Sequence, residues 1–243
     1  MSAVHPAPRA IVEPIVALDV PDLAGARRLV EALGDGCRFY KVGSQLFTAE
    51  GPAVVAWLRG MGRDVFLDLK FHDIPATMAG AARSAAALGV RLLTVHASAG
   101  VAGIRAAVEG AGDRCGVLAV TVLTSFDAAG LAAAWGRGPL DVDREVLRLA
   151  ALAAEADAHG VVCGPQEVAA VRARFGDRLA PLVPGIRLAG GDTHDQARVA
   201  TPEDATRAGA RYLVLGRAVT AAPSPRDVMR RVSASLAATA PRA

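Results

Sequence analysis

Eight short apolar or β-branched runs recur along the chain with helix-length segments between them, and this alternation constrains the fold more than any other feature. The runs are Pro14–Val20, Arg38–Val42, Asp64–Leu69, Leu92–His96, Gly116–Val122, Gly160–Cys163, Leu179–Pro184 and Arg211–Gly216. The segments between them carry apolar residues on one helical face, such as Val54, Val55 and Leu58, or Val146, Leu149, Ala150 and Ala153. Strands that alternate with helices become parallel neighbours joined by right-handed crossovers. A run that is apolar at every position, such as Tyr212–Leu215, suits a sheet covered on both faces. Eight such units close a (β/α)8 TIM barrel of the α/β class. An open doubly wound sheet calls for a Gly-rich turn after the first strand, and here that strand runs into Asp19, Val20, Pro21 and Asp22 instead. With 243 residues, 52% of them apolar, the chain suits one barrel domain over 1–243, with 1–10 and 239–243 expected as flexible tails.

In such barrels chemistry sits where the strands end. Asp19 closes the first strand, Lys41 the second, Asp68 and Lys70 the third and His96 the fourth; Thr124 and Ser125 follow the fifth, Arg187 the seventh and Arg217 the eighth. Residues two apart on a strand face the same side, so Asp68 and Lys70 are expected to project together into the barrel mouth, with Leu67 and Leu69 facing the helices. Asp73 lies just past that strand, where the loop can return its carboxylate to the same ammonium, and Pro75 suits the first turn of the next helix. Flanking carboxylates favour the charged form of a lysine, which makes Lys70 a proton donor and disfavours a Schiff-base nucleophile. A plain ion-pair network at a strand end is the competing reading of this segment taken alone.

Composition sharpens the point about lysine. The net charge is +3, yet Lys41 and Lys70 are the only lysines among 27 basic residues. Arginine holds its proton at any working pH, so a proton-donating role is one that arginine cannot fill. The basic residues are dispersed, which gives a nucleic-acid surface little support. Cys37, Cys115 and Cys163 never form a C-x-x-C pair and read as buried small hydrophobes, not as disulfides or zinc ligands. No apolar run has the length of a membrane span, and residues 1–10 hold no signal-peptide core, so a soluble, cytoplasmic protein is expected.

The loops after the seventh and eighth strands form the usual phosphate site of such barrels. Pro184, Gly185, Ile186 and Arg187 follow the seventh strand, and Gly216 and Arg217 the eighth. Glycine lets the backbone approach and arginine offers a forked cation, so a phosphate monoester ligand is expected. A polar stretch from Leu188 to Ala200 reads as a lid hinged at Gly190 and Gly191, with Gln196 folding over the phosphate, or as simple disorder. Metal chemistry has no readable ligand set: the five histidines are scattered, without H-x-x-x-H or H-E-x-x-H spacing.

These residues together resemble the orotidine 5′-phosphate decarboxylase family. The resemblance rests on Asp68, Lys70, Asp73, Ile74 and Pro75, spaced as D-x-K-x-x-D-I-P. It also rests on Lys41 with Gly43, Thr121 through Thr124 and Ser125, Pro184 to Arg187, and Leu215 to Arg217. It spans Asp19 to Arg217 and implies a cofactor-independent decarboxylation of orotidine 5′-monophosphate with Lys41, Asp68, Lys70 and Asp73 as the catalytic set. It further implies a homodimer in which Asp73 and Thr77 reach into the neighbouring site, with Ile74 among the substrate-binding residues. Asp19 and Lys41 would hold the ribose hydroxyls, Thr124 or Ser125 would read the pyrimidine, and Pro184, Arg187, Gln196, Gly216 and Arg217 would hold the phosphate end. The chain departs from the family in one place: Ala76 stands where an asparagine is usual, in a sequence that contains no asparagine. The nearest rivals are a magnesium-dependent sugar-phosphate decarboxylase or aldolase, which places a glutamate where this chain has Lys41, and a non-catalytic barrel that senses nucleotides.

Overall fold

A computed structural model of the protein describes residues 12–188 and 200–239. Its strands are β1 (Glu13–Ala17), β2 (Phe39–Gly43), β3 (Asp64–Phe71), β4 (Leu92–His96), β5 (Gly116–Val120), β6 (Gly160–Val162), β7 (Ala180–Val183) and β8 (Tyr212–Leu215). Each pairs in parallel with the next and β8 pairs back onto β1, giving the closed (β/α)8 barrel that the alternation predicts. All eight expected runs hold a strand, with ends moved by a few residues. The first and fifth stop earlier than expected, although Leu18 and Thr121 still donate their N–H groups to Lys41 and Val162 on the neighbouring chain segments. The third runs on to Phe71 through an irregularity described below.

Helix α1 (Leu23–Leu33) follows β1, and Asp22 caps it by accepting from the Gly25 N–H at 2.7 Å. Helices α2 (Ser44–Glu50) and α3 (Pro52–Gly60) follow β2, α4 (Pro75–Ala87) follows β3, and α5 (Gly100–Ala111) follows β4. After β5 come α6 (Ala128–Trp135) and α7 (Val142–Glu155); then α8 (Val168–Phe175) follows β6 and α9 (Pro202–Ala208) follows β7. Helices α10 (Arg217–Thr220) and α11 (Pro225–Thr239) close the order, so Thr239 ends a helix and does not begin a tail; residues 1–10 and 240–243 lie outside the described residues. No helix among the described residues is long and apolar enough to cross a membrane. Pro75 opens α4 at a position whose N–H would have no helical partner, as its place in the sequence implies.

Period-two alternation splits the apolar side chains into two packed layers. Ile15, Ala17, Phe39, Phe66, Leu92, Leu118, Leu182, Tyr212 and Val214 fill the barrel interior. The intervening residues, among them Val16, Tyr40, Val42, Val65, Leu67, Leu93 and Leu213, pack against the helices together with Val54, Val55, Leu58, Val146, Leu149, Ala150 and Ala153. Fully burying one such Leu, Ile or Phe contributes about 1.5–3 kcal/mol. Cys37, Cys115 and Cys163 are buried, in the role expected of them. The helix layer admits close backbone contact between α4 and α5: a Cβ built at Gly110 would stand 2.3 Å from the Ala79 carbonyl oxygen.

The N-terminal end of the barrel is closed by charge. Glu13 accepts from both terminal nitrogens of Arg91, at 2.6 and 2.7 Å, and from Arg211 at 2.6 Å. Arg91 also reaches Asp64 at 3.1 Å, and its guanidinium lies over the Phe39 ring. His159 and the Tyr212 hydroxyl sit 3.0 Å apart beside them. This clamp stands at the opposite end of the strands from the residues singled out for chemistry.

Candidate active site

Inward positions of the strands carry, beyond the apolar layers, a polar set at the C-terminal mouth. The parity that turns Phe39 and Phe66 inward continues to Lys41 on β2 and to Asp68 and Lys70 on β3. Lys41 Nζ lies 2.8 Å from Asp19 Oδ1, just beyond β1, and 3.7 Å from Asp68 Oδ2. Lys70 Nζ donates to the other oxygen of Asp68, Oδ1, at 2.8 Å. The result is an alternating row, Asp19, Lys41, Asp68, Lys70, across three neighbouring strands. Exposure rises toward the ends: the side chains of Lys41 and Asp68 are 11% and 12% accessible, those of Lys70 and Asp19 34% and 62%.

Burial by itself pushes the Asp68 carboxyl up. The charges of Lys41 and Lys70 and the hydrogen bonds from Lys70 and Thr94 outweigh it and hold the group below the ordinary aspartate range. A carboxylate that stays charged while nearly enclosed is a fixed negative potential at the floor of the mouth. His96, at the end of β4, is half-buried with its ring 5.4 Å from that of His72. Burial, then the neighbouring His72 and the Lys70 charge, lower its pKa, so it faces this row as a neutral ring at neutral pH.

The local backbone of β3 departs from simple alternation. Pairing with β4 is regular from Phe66 to Leu67, then resumes at Phe71 opposite Val95, so β3 carries extra residues against Thr94. Lys70 takes a left-handed conformation, φ 52°, one of two non-glycine residues to do so among the described residues. That conformation costs about 1–2 kcal/mol for a residue with a Cβ. Strain of this kind concentrates where a side chain must be aimed.

Asp73 corrects an expectation. Its carboxylate does not return to Lys70 within the chain; Oδ1 accepts the N–H of the next residue, Ile74, at 2.6 Å. The carboxylate is engaged by the backbone of its own loop, directly before Pro75 opens α4. His72 to Thr77 are all exposed, and Ile74 is 66% accessible, one of two large hydrophobic residues left in the open among the described residues. Lys70 is therefore paired with Asp68 but not flanked on both sides by its own chain.

The remaining expected residues line the same rim. Thr124 and Ser125 form a turn after β5. Arg187 is 8% accessible, its N–H bonded to the Ala200 carbonyl, and Gly185 before it takes a positive φ of 77°. Gly216 precedes α10, a Cβ there would meet open space, and Arg217 is exposed beside it. Pairing of β7 with β8 brings these two loops side by side. Gln196 and the hinge glycines Gly190 and Gly191 lie outside the described residues. Among the described residues no three His, Cys, Asp or Glu side chains converge as a metal site.

Two further residues shape the mouth: Gly43, which belongs to the resemblance but is given no role in it, and Thr94, which carries no functional signal in the sequence. Gly43 ends β2 so close to the row that a Cβ there would stand 3.0 Å from Lys41 Nζ. Thr94 is fully buried beneath Asp68 and Lys70 and bonds to both.

A family model described as Orotidine 5′-phosphate decarboxylase / HUMPS family matches residues 13–232. The chain belongs to that family. Curated members similar to it include the orotidine 5′-phosphate decarboxylase of Anaeromyxobacter dehalogenans, 54% identical over 220 residues, which cover 90% of this chain and 96% of that one. The enzyme of the same name from Thermobifida fusca is 50% identical over 92% of this chain and 95% of its own. Among solved structures, orotidine 5′-phosphate decarboxylase from Lactobacillus acidophilus superposes with a TM-score of 0.83 at 34% identity, covering 93% of this chain and 99% of that one.

Proposed function

We propose that this family member decarboxylates orotidine 5′-monophosphate to uridine 5′-monophosphate in de novo pyrimidine biosynthesis, with no metal or organic cofactor. The observation that carries the reading is the row in which Asp68 holds one oxygen toward each of two lysines at the barrel mouth. The curated relatives over nine-tenths of the chain carry that activity in their names, which supports it.

In this reading Asp68 lies where the substrate carboxylate must sit. As the bond from C6 to the carboxylate breaks, carbon dioxide leaves, the electron pair stays on C6, and the repulsion with Asp68 is relieved. Lys70 stabilises that carbanion and gives it a proton, which water later restores. The stabilisation belongs to the transition state and not to the bound substrate, the condition for raising kcat. Binding at the far end holds the substrate against the repulsion: Arg187, Gln196, Gly216 and Arg217, beside Pro184, take the phosphate. Each hydrogen bond from an arginine to phosphate contributes about 1.5–3 kcal/mol. Asp19 and Lys41 serve the ribose hydroxyls, and Thr124 or Ser125 the base.

Asp73, Ile74 and Thr77 complete the site of a second copy of the chain. The support is their exposure, with Ile74 among them an apolar residue left 66% accessible in its own subunit. A homodimer would set Asp73 beside the other subunit's Lys70 and supply the second carboxylate that the single chain does not.

The test is an ultraviolet assay of orotidine 5′-monophosphate loss with purified protein, with and without EDTA. Turnover unaffected by the chelator is expected. Loss of activity on chelation would favour a magnesium-dependent sugar-phosphate enzyme, and nucleotide binding without turnover a sensing barrel.

A further inference from the structure

Thr94 occupies the one place where β3 and β4 fall out of register. Its Oγ1 accepts the backbone N–H of Lys70 at 2.9 Å and donates its own proton to Asp68 Oδ1 at 2.9 Å. The same Asp68 oxygen receives Lys70 Nζ at 2.8 Å. A single buried hydroxyl, 0% accessible, therefore closes a ring that includes the peptide of the lysine, its ammonium and the carboxylate between them. A hydroxyl has one proton to give and lone pairs to accept, so it can serve both partners at once, which no apolar strand residue can.

The strain at Lys70 gives this ring a purpose. A lysine at φ 52° needs something to hold it there, and the hydrogen bond to its N–H from the facing strand is the hold. Carboxylate and ammonium are aimed together, since the atom that anchors the lysine's backbone also fixes the oxygen its side chain meets.

We infer that Thr94 is a positioning residue for decarboxylation, whose hydroxyl locks the left-handed backbone of Lys70 and the rotamer of Asp68 into the geometry that the reaction needs. The inference rests on the decarboxylase reading above and extends it to a residue that touches no substrate. Asp68 is faced by Lys41 from β2, with Asp19 behind it, by Lys70 on its own strand, and by Thr94 and His96 from β4. Of these Thr94 alone is uncharged at every pH, so its removal weakens the support for the charged carboxylate without adding a titrating group.

The experiment compares Thr94→Val, which keeps the shape and removes the hydroxyl, with Thr94→Ser, which keeps the hydroxyl. Thr94→Val is expected to lower kcat about 10- to 100-fold while uridine 5′-monophosphate affinity, by calorimetry, stays within about threefold. The acid limb of its kcat profile should move up by about half a pH unit or more. Thr94→Ser should restore kcat to within about threefold of wild type. A Thr94→Val enzyme that only loses thermal stability, with kcat and acid limb unmoved, overturns the inference, as does a Thr94→Ser enzyme as slow as Thr94→Val. Failure of the parent reading is separate: wild-type protein then leaves orotidine 5′-monophosphate untouched. In that event a ¹³C NMR titration of Asp68 decides, because an upward shift in Thr94→Val supports the positioning role and an unmoved titration refutes it.

Discussion

Lys70 Nζ meets Asp68 Oδ1 at 2.8 Å although the two side chains stem from one strand, two residues apart. Neighbouring inward positions of a regular strand point in parallel, so this contact depends on the bulge in β3 and the left-handed turn at Lys70. The pair is the reacting centre of the proposed enzyme. Lys70→Ala should lower kcat by more than about 10³-fold, since it removes both the proton source and a charge beside the carbanion. Calorimetry should still detect uridine 5′-monophosphate binding. Measurable wild-type turnover in Lys70→Ala would remove the lysine from the chemistry.

Gly43 offers a gentler perturbation. A methyl group there stands 3.0 Å from Lys41 Nζ and 3.4 Å from Asp19 Oδ1, and the ammonium, at the end of a flexible stem, is what gives way. Gly43→Ala should fold normally and lower kcat/KM about 10-fold, given that displacements near 1 Å cost up to 10². An unchanged kcat/KM would show that Lys41 tolerates the shift and that its contact with Asp19 is not needed for turnover.

Arg217 is exposed at the rim, so Arg217→Ala should leave thermal stability alone and raise KM at least about tenfold, with a smaller fall in kcat. Steady-state kinetics at several phosphate concentrations provide the check. If inorganic phosphate inhibits wild type and variant equally, the anion sits elsewhere.

A shared site makes a sharp prediction for mixed subunits. Lys70→Ala and Asp73→Ala proteins, each nearly inactive alone, should regain a substantial fraction of activity when their subunits are exchanged, because one of the two sites in each hybrid dimer is free of both lesions. No recovery, with exchange demonstrated by mass, would confine Asp73 to its own chain.

The charged closure at the other barrel end predicts a pH dependence of stability. Burial raises the Glu13 carboxyl, but the hydrogen bonds and charges of Arg91 and Arg211 bring it below its ordinary 4.5. Burial, reinforced by the charges of Arg211 and Arg91, holds His159 below its ordinary 6.5. Both folded-state values are depressed, so both contributions are complete at neutral pH and fade on acidification, that of His159 from about pH 6.5 downward and that of Glu13 from about 4.5. His96 adds to the upper step in the same sense. The Tm of the wild type should fall in two stages, the upper one smaller in His159→Gln and the lower one smaller in Glu13→Gln. A Tm independent of pH between 6.5 and 5 would contradict this.

What could be read from sequence was whatever depends on local period. Strand and helix alternate in the hydrophobic pattern, and the two-residue spacing of Asp68 and Lys70 places both at the mouth whether or not the strand is regular. The setting of the Asp73 carboxylate is not legible in the sequence, because it depends on the loop's own hydrogen bonding, here with the Ile74 N–H. Thr94 gives no sign at all: a threonine in an apolar strand is an ordinary β-former, and its role arises from a register shift between β3 and β4 that brings it to Lys70, 24 residues away in sequence. Nor does a lysine advertise a positive φ, which sequence reading attaches to glycine or asparagine. The clamp of Glu13, Arg91 and Arg211 joins three distant segments and is invisible to any local window.

That clamp and the pairing of β1 with β8 tie the first strand to the last, across 198 residues from Glu13 to Arg211. At about 5–20 residues per second, synthesis leaves β1 with an unpaired edge for on the order of ten to forty seconds before its final neighbour emerges. The nascent barrel is an open sheet throughout that interval, with hydrogen-bonding groups bare along one side. Its vulnerability to misassembly lies there, on the ribosome, and ends when the circle closes.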